Sequence, residues 1–404
     1  MEQWNIIKAY DYCYNVTDGT HDSPKQTEFG KYLITSKHIK DNRIDFESAY
    51  KISEDDYNKI ITRSKVDQWD IIISMIGAYC GFCCIESSKQ TDYAIKNVGL
   101  LKVGNELKCK WLYYYLTSPH GKQQLSKLRS GSSQPYISLG ALRNLDIPVP
   151  NENTMSDIVS VLSSLDSKIE LNRRINDNLE QQAQALFKSW FVDFEPFRGG
   201  EFVDSELGLI PKGWRVVSLG EVTKQITEKV GNREDVTVLS PINSGELVLS
   251  EEYFTKQVFS KDLSKYLIVN PLSFAYNPAR INIGSIGLNT FDFVGCVSPV
   301  YVVFECEPNY QYFFDFFKRT AMFKDEVALR AIGGVRQSLG YNDLSLIKTI
   351  YPTSDVVVEF NNPYLKMKEV MIKNTDQNEK FISLRDSLLP KLMSGELKIN
   401  EFNC

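Results

Sequence analysis

Ile158, Leu162, Leu165, Ile169, Asn172, Asn176, Leu179, Ala183, Leu186 and Trp190 follow one another at strictly alternating steps of four and three. That spacing is the heptad seam of a coiled coil, in which apolar residues recur about every 3.5 positions and stay on one side of the helix. The same steps recur at Phe360, Tyr364, Met367, Met371, Asn374, Asn378, Phe381, Arg385, Leu388 and Leu392, each position being its counterpart plus 202. An amphipathic helix lying on its own domain would tolerate a period of ~3.6 and would not need matching seams in two places. Two long helices paired with each other are therefore expected. Asn172 and Asn176 sit mid-seam in the first, Asn374 and Asn378 in the second. A polar seam residue costs stability but fixes register, because its amide must find another. The seams centre on residues 174 and 376, and antiparallel pairing about those centres sets one asparagine pair opposite the other. Parallel pairing would match them too, but would leave both flanking domains at the same end. Pro363 should start or kink the second helix.

Outward from the helices the chain is written twice. Ser138-Leu139-Gly140 recurs as Ser338-Leu339-Gly340, 200 residues on, and Trp111-Leu112-Tyr113-Tyr114-Tyr115-Leu116 lies over Gln311-Tyr312-Phe313-Phe314-Asp315-Phe316. Repeats of ~20–50 residues mark solenoids. A period near 200 means two domain-sized copies, and 404 residues suit two or three domains. The expected fold class is α+β. Two similar α/β domains, residues 1–150 and 196–352, are separated by two long antiparallel coiled-coil helices in residues 151–195 and 353–404, with pseudo-two-fold symmetry. Trp214 is matched with Trp4, and the Pro- and Gly-containing residues 194–200 read as a linker.

Hydrophobic content of 43% and charged content of 24% suit a soluble globular chain with a core in each copy. The start of the chain has no signal-peptide design. The longest apolar run, residues 71–85, is broken by Gly77 and Gly81 and is shorter than the ~20 residues a membrane span needs. A cytoplasmic protein with no membrane contact is expected. Net charge is −5, which argues against indiscriminate coating of nucleic acid but not against local phosphate contacts. Basic residues cluster at Lys25, Lys31, Lys37, Lys40 and Arg43, and again at Lys318, Arg319, Lys324, Arg330 and Arg336; each cluster is either a solvated face or a binding patch. The eight cysteines lack the paired spacing of a zinc site. Cys80, Cys83 and Cys84 follow an isoleucine-rich strand, where cysteine acts as a small apolar residue, so reduced thiols and no metal are expected.

Catalytic constellations are missing. The chain has no Gly-rich phosphate loop, no Gly-x-Ser-x-Gly and no His-Glu-x-x-His, and His21, His38 and His120 all lie in the first copy. Asn361-Asn362-Pro363-Tyr364 resembles the Asn-Pro-Pro-Tyr motif of amino-methyltransferases, but lacks its first proline and falls on the seam. A non-enzyme is expected, without a cofactor of its own. Binding candidates lie in loops before the seams. Arg129, Ser132, Ser133 and Gln134 in the first copy pair with a loop holding Arg336 and Gln337 in the second. Arginine reads guanine and glutamine reads adenine with two hydrogen bonds, and glycine lets backbone approach phosphate. An ordinary turn before a strand is the alternative. A further candidate is Tyr276-Asn277-Pro278-Ala279-Arg280-Ile281-Asn282-Ile283-Gly284-Ser285-Ile286-Gly287, with Arg280 and Asn282 as readers.

The run from Leu171-Asn172-Arg173-Arg174-Ile175-Asn176-Asp177-Asn178-Leu179-Glu180 through Phe187-Lys188-Ser189-Trp190-Phe191-Val192-Asp193-Phe194 resembles the central conserved region of type I restriction–modification specificity (S) subunits. Leu384-Arg385-Asp386-Ser387-Leu388-Leu389-Pro390-Lys391-Leu392-Met393-Ser394-Gly395-Glu396-Leu397 resembles that family's C-terminal region, and residues 276–287 are similar to a segment common in its target recognition domains. The resemblance implies two recognition domains, each reading half of a bipartite asymmetric site in double-stranded DNA. It also implies two methyltransferase (M) subunits carrying S-adenosylmethionine, and two restriction (R) subunits using ATP and Mg, in phage defence. The match is weak over residues 1–30, and Pro363 departs from the pattern. The alternative is a two-domain coiled-coil protein–protein scaffold without nucleic acid.

Overall fold

The computed structural model describes residues 4–40, 42–131, 134–253, 259–330 and 338–399. The chain divides into two compact units, one of Met1–Arg173 with Asn374–Cys404 and the other of Arg174–Lys373.

The first unit is built on a four-stranded antiparallel sheet in the order Asn15–Asp18, Val98–Lys102, Asp70–Ser74, Cys83–Ile85. Asp70–Ser74 is buried along its whole length because both faces are covered. Ile71 and Ile73 enter the core beneath the helix Glu106–Thr117, whereas Ile72 packs with Ile34, Ile95 and Leu100 on the other side. This two-sided burial accounts for an unbroken isoleucine run where a half-exposed strand would alternate. A second sheet, in the order Lys51–Ile52, Lys31–Thr35, Tyr93–Lys96, contains a parallel pair. Asn5–Lys8 and Asp146–Val149 close a separate ribbon.

The second unit repeats this plan. Its four-stranded sheet runs Thr223–Ile226, Val302–Cys306, Phe274–Tyr276, Ile286–Leu288, all antiparallel. The companion sheet again contains a parallel pair, Thr237–Pro241 with Gly295–Val297, and a ribbon joins Arg215–Ser218 to Lys348–Tyr351. Trp4 and Trp214 each stand one residue before the ribbon strand, as matched from sequence. The tripeptide match needs correction. Ser138 caps the helix Leu139–Arg143, its hydroxyl accepting from Ala141 N–H at 3.1 Å, but the corresponding helix Tyr341–Leu344 starts after Gly340, not Ser338. Equivalent residues are thus 202 apart, as in the seams: buried Ile137 matches Leu339 and buried Leu142 matches Leu344. On that step Trp111 falls on Phe313, both buried, not on Gln311. The sequence identity two residues earlier is coincidental. Residues 194–200 also differ from expectation. Phe194 and Phe197 pack on Trp214 at 5.6 and 5.0 Å between ring centroids, so the segment is a folded aromatic turn of the second unit.

Glu152–Phe191 and Ser354–Met393 are helices of 40 residues each. In the first unit Ile158 and Leu162 share a core with Leu389, Leu392 and Met393, Asp166 accepts from Arg385 at 2.9 Å, and the Asn172 amide donates to Asn378 at 3.0 Å. In the second unit Asn176 donates to the Met371 carbonyl at 3.0 Å, and Phe187 and Phe191 pack on Phe360. Partners descend as the first helix ascends, so the helices are antiparallel, and Asn172 meets Asn378 as seams centred on 174 and 376 require. Pro363 neither starts nor ends the second helix, which begins at Ser354 and continues through it. The backbone hydrogen bond a proline forfeits is offset by its neighbours, Phe360 and Tyr364, both buried among aromatic rings. Among the described residues no helix is long and apolar enough to cross a membrane.

Candidate nucleic-acid interface

The edge hairpin of each four-stranded sheet carries the candidate loops. In the first unit residues 69–86 form it, in the second residues 272–289, and the two are equivalent residue for residue. At the base Trp69 and Leu272 adopt left-handed φ of 65° and 62°. A bulky residue in that region costs of order 1–3 kcal/mol and persists only where its surroundings impose it. Here both ends of the turn are tied: Trp69 N–H donates to Glu86 and Glu86 N–H to Asp70, as Leu272 N–H donates to Asn289 and Asn289 N–H to Ser273. The strands end at Ile73 opposite Cys83 and at Tyr276 opposite Ile286. Above them Ser74 N–H donates to Phe82 and Asn277 N–H to Ser285. Gly81 and Gly284 then share a φ of +93°, a conformation that glycine adopts without a Cβ penalty.

A residue just before the seam bonds to this tip in each unit. Ile137 N–H donates to Met75 at 2.9 Å, and Leu339 N–H to Pro278 at 3.1 Å. What sequence presented as two separate candidates is therefore one surface in the first unit, and in the second Leu339 meets the tip. In the first, Gly77 N–H donates to Pro135, and the Arg129 guanidinium donates to the Cys80 carbonyl at 2.5 Å, bracing the tip. Gln134 is exposed beside it with Phe82 and Tyr136, and Phe82 meets Tyr79 edge to face at 5.7 Å. In the second unit Arg280, Asn282 and Ile283 are exposed at the tip. Ser132, Ser133, Arg336 and Gln337 lie outside the described residues. An exposed guanidinium, amides and rings on a glycine-bearing turn supply base-edge donors, acceptors and apolar surface for thymine methyls.

Sequence reading missed the first unit's tip. Residues 74–82 read there only as the cysteine-bearing end of a strand. The usable signal was Gly81, which repeats Gly284 at nearly the spacing of the seams. The thiols themselves are structural: Cys80 and Cys83 are buried, and burial pushes Cys83 up to about 12. The methyltransferase-like fragment is also structural. Asn361 donates to the carbonyl of Asn309, which sits at a left-handed φ of 74°, and Tyr364 is buried against Phe316.

Residues 2–181 match the type I restriction modification DNA specificity domain. The chain is 26% identical to the type I restriction enzyme MjaIX specificity subunit of Methanocaldococcus jannaschii, over 72% of this chain and 70% of that one. It is 25% identical to the HindI specificity subunit of Haemophilus influenzae, over 68% and 74%. A crystal structure of a type I restriction–modification S subunit from M. genitalium superposes with a TM-score of 0.57 at 14% identity, over 96% of both chains, and so shares the fold. These findings make the chain similar to type I restriction–modification specificity subunits, with the specificity-domain match confined to residues 2–181.

Proposed function

We propose that each unit reads one half of a bipartite, asymmetric site in double-stranded DNA through its hairpin tip and the loop packed on it. Residues 1–150 and 196–352 serve as the recognition domains. The long helices serve two methyltransferase subunits that bring S-adenosylmethionine, joined in the restricting complex by two restriction subunits that use ATP and Mg. The observation that carries this reading is the repeated tip: a hairpin of equal length in both units, tied by the same bonds at its base, with Gly77, Tyr79 and Phe82 in one where Arg280, Asn282 and Ser285 stand in the other. A shared frame with divergent side chains suits two different half-sites. A protein–protein scaffold would have no need of it.

The equal length supplies the test. Residues 74–82 are replaced by the sequence of residues 277–285, and methylated sites are mapped with the methyltransferase subunits present. One half of the methylated sequence should change and the other stay. An unchanged sequence would remove these tips from recognition, and the absence of sequence-dependent, salt-sensitive retention of duplex DNA would favour the scaffold.

A further inference from the structure

The second unit's tip is held by a residue that composition placed in a surface cluster. Lys318, the residue after the helix Gln311–Phe317, is only 6% exposed. Its ammonium donates to the Gly245 carbonyl at 2.5 Å and the Ile286 carbonyl at 3.1 Å, and pairs with Asp315 at 2.7 Å. Burial pushes that ammonium below the usual lysine range, and the Asp315 carboxylate acts against the shift. Asp315 also accepts from Arg319 at 2.8 Å, and Arg319 bonds Glu180 on the first long helix. The chain of charges thus runs from helix to tip.

Gly245 belongs to the turn at residues 242–246, between Thr237–Pro241 and Leu247–Leu249. That turn lies against the tip without room for side chains. A Cβ on Gly284 would stand 2.6 Å from the Asn243 carbonyl oxygen, and one on Gly287 would stand 2.4 Å from the Glu246 carbonyl carbon. Ser285 donates to the Pro241 carbonyl at 2.8 Å. A buried ammonium must keep partners, since an unpaired charge there is strongly destabilising. One that bridges carbonyls of two segments fixes both together. On the 202 step the first unit has Leu116 at this position, which cannot do so.

We infer that Lys318 is a positioning residue for specificity, clamping the 242–246 turn and the 277–285 tip into one recognition surface that also includes Asn243 and Ser244. The inference rests on the proposed reading of DNA by the tips, and two measurements separate them. Hydrogen exchange on the full chain tests the clamp. In Lys318→Met, amides of residues 242–246 and 277–285 should exchange about tenfold or more faster while Val302–Cys306 keeps its protection. Uniform loss across the unit, or no change, would overturn the clamp. Mapping of methylated sites, with the methyltransferase subunits present, tests its use. Lys318→Met should relax one half-site by about tenfold in discrimination and leave the other intact, with Glu180→Gln doing the same more weakly. If the loops loosen and the methylated sequence stays the same, the reading of DNA by this tip is wrong. If Lys318→Met cannot assemble, Glu180→Gln decides: a half-site unaltered by it overturns the inference.

Discussion

In the first unit the tip at residues 74–82 is braced by Arg129, which reaches the Cys80 carbonyl from the neighbouring loop. In the second the tip at residues 277–285 is braced by Lys318, which reaches the Ile286 carbonyl from the end of a helix. The backbones agree at the left-handed residues Trp69 and Leu272 and Gly81 and Gly284 but differ between them, where Gly77 has φ +77° and its counterpart Arg280 φ −138°, and the cations come from different elements. The duplication therefore preserved a hydrogen-bonded frame and let its side-chain support drift. A frame set by backbone bonds tolerates this, because those bonds do not depend on which side chains are attached. It also leaves the outward residues free to differ between half-sites.

The comparison is sharpest at the paired glycines. Gly81→Ala and Gly284→Ala impose the same left-handed strain, about 1–2 kcal/mol. At Gly81 the added methyl would stand 3.3 Å from the end of the Arg129 side chain, which can move. At Gly284 it would stand 2.6 Å from a backbone oxygen, which cannot move without shifting the 242–246 turn. Gly284→Ala should thus cost roughly 3 kcal/mol or more and Gly81→Ala only the strain itself. Denaturant melts of the two variants check this; equal losses would mean the tips are supported alike.

A smaller effect probes the helices, where the units are joined in sequence. Asn172→Leu leaves the Asn378 oxygen without its partner at a seam position where both residues are buried, and should cost about 1–3 kcal/mol. Asn172→Leu with Asn378→Leu removes both amides and should recover most of that loss. Asn176→Leu removes the bond to the Met371 carbonyl and should also cost about 1–3 kcal/mol. Thermal melts rank the three. A double variant as unstable as the single would show that the pair does not act as a pair.

Much of this frame is legible in sequence because it is periodic. The seams and their asparagine register follow from spacing, which alone left parallel pairing open, and the 202 step they define proved truer than the tripeptide identity at 200. The loops were only half legible. Arg280 and Asn282 stand out by residue type, but residues 74–82 do not, since Met75 and Cys80 look like core and the turn is made by backbone hydrogen bonds that leave no composition signal. Lys318 was read with the surface cations because sequence does not show which lysine a helix end turns inward. Pro363 does not start the helix, one of its two expected roles, because aromatic packing overrides local propensity there.

The smallest difference between the units is one of pH response. All three histidines lie in the first 150 residues, so imidazole titration can act on the first unit alone. His38 is fully buried, and its Nδ1 accepts from the Thr35 N–H at 3.0 Å. Burial, with Lys37 adding to it, holds the imidazole below its usual 6.5. A lowered folded value means that between it and 6.5 the unfolded chain binds the proton and the folded chain does not. Stability therefore rises with pH through that window and falls as acidification passes 6.5. Hydrogen exchange followed from about pH 7.5 to 5.5, corrected for intrinsic rates, should show protection weakening in Lys31–Thr35 and Tyr93–Lys96 but not in the second unit's Thr237–Pro241. His38→Gln keeps an acceptor for Thr35 without a titrating ring, and should flatten the response. A slope that survives in His38→Gln would assign the acid sensitivity to other groups and leave the two units alike in this respect.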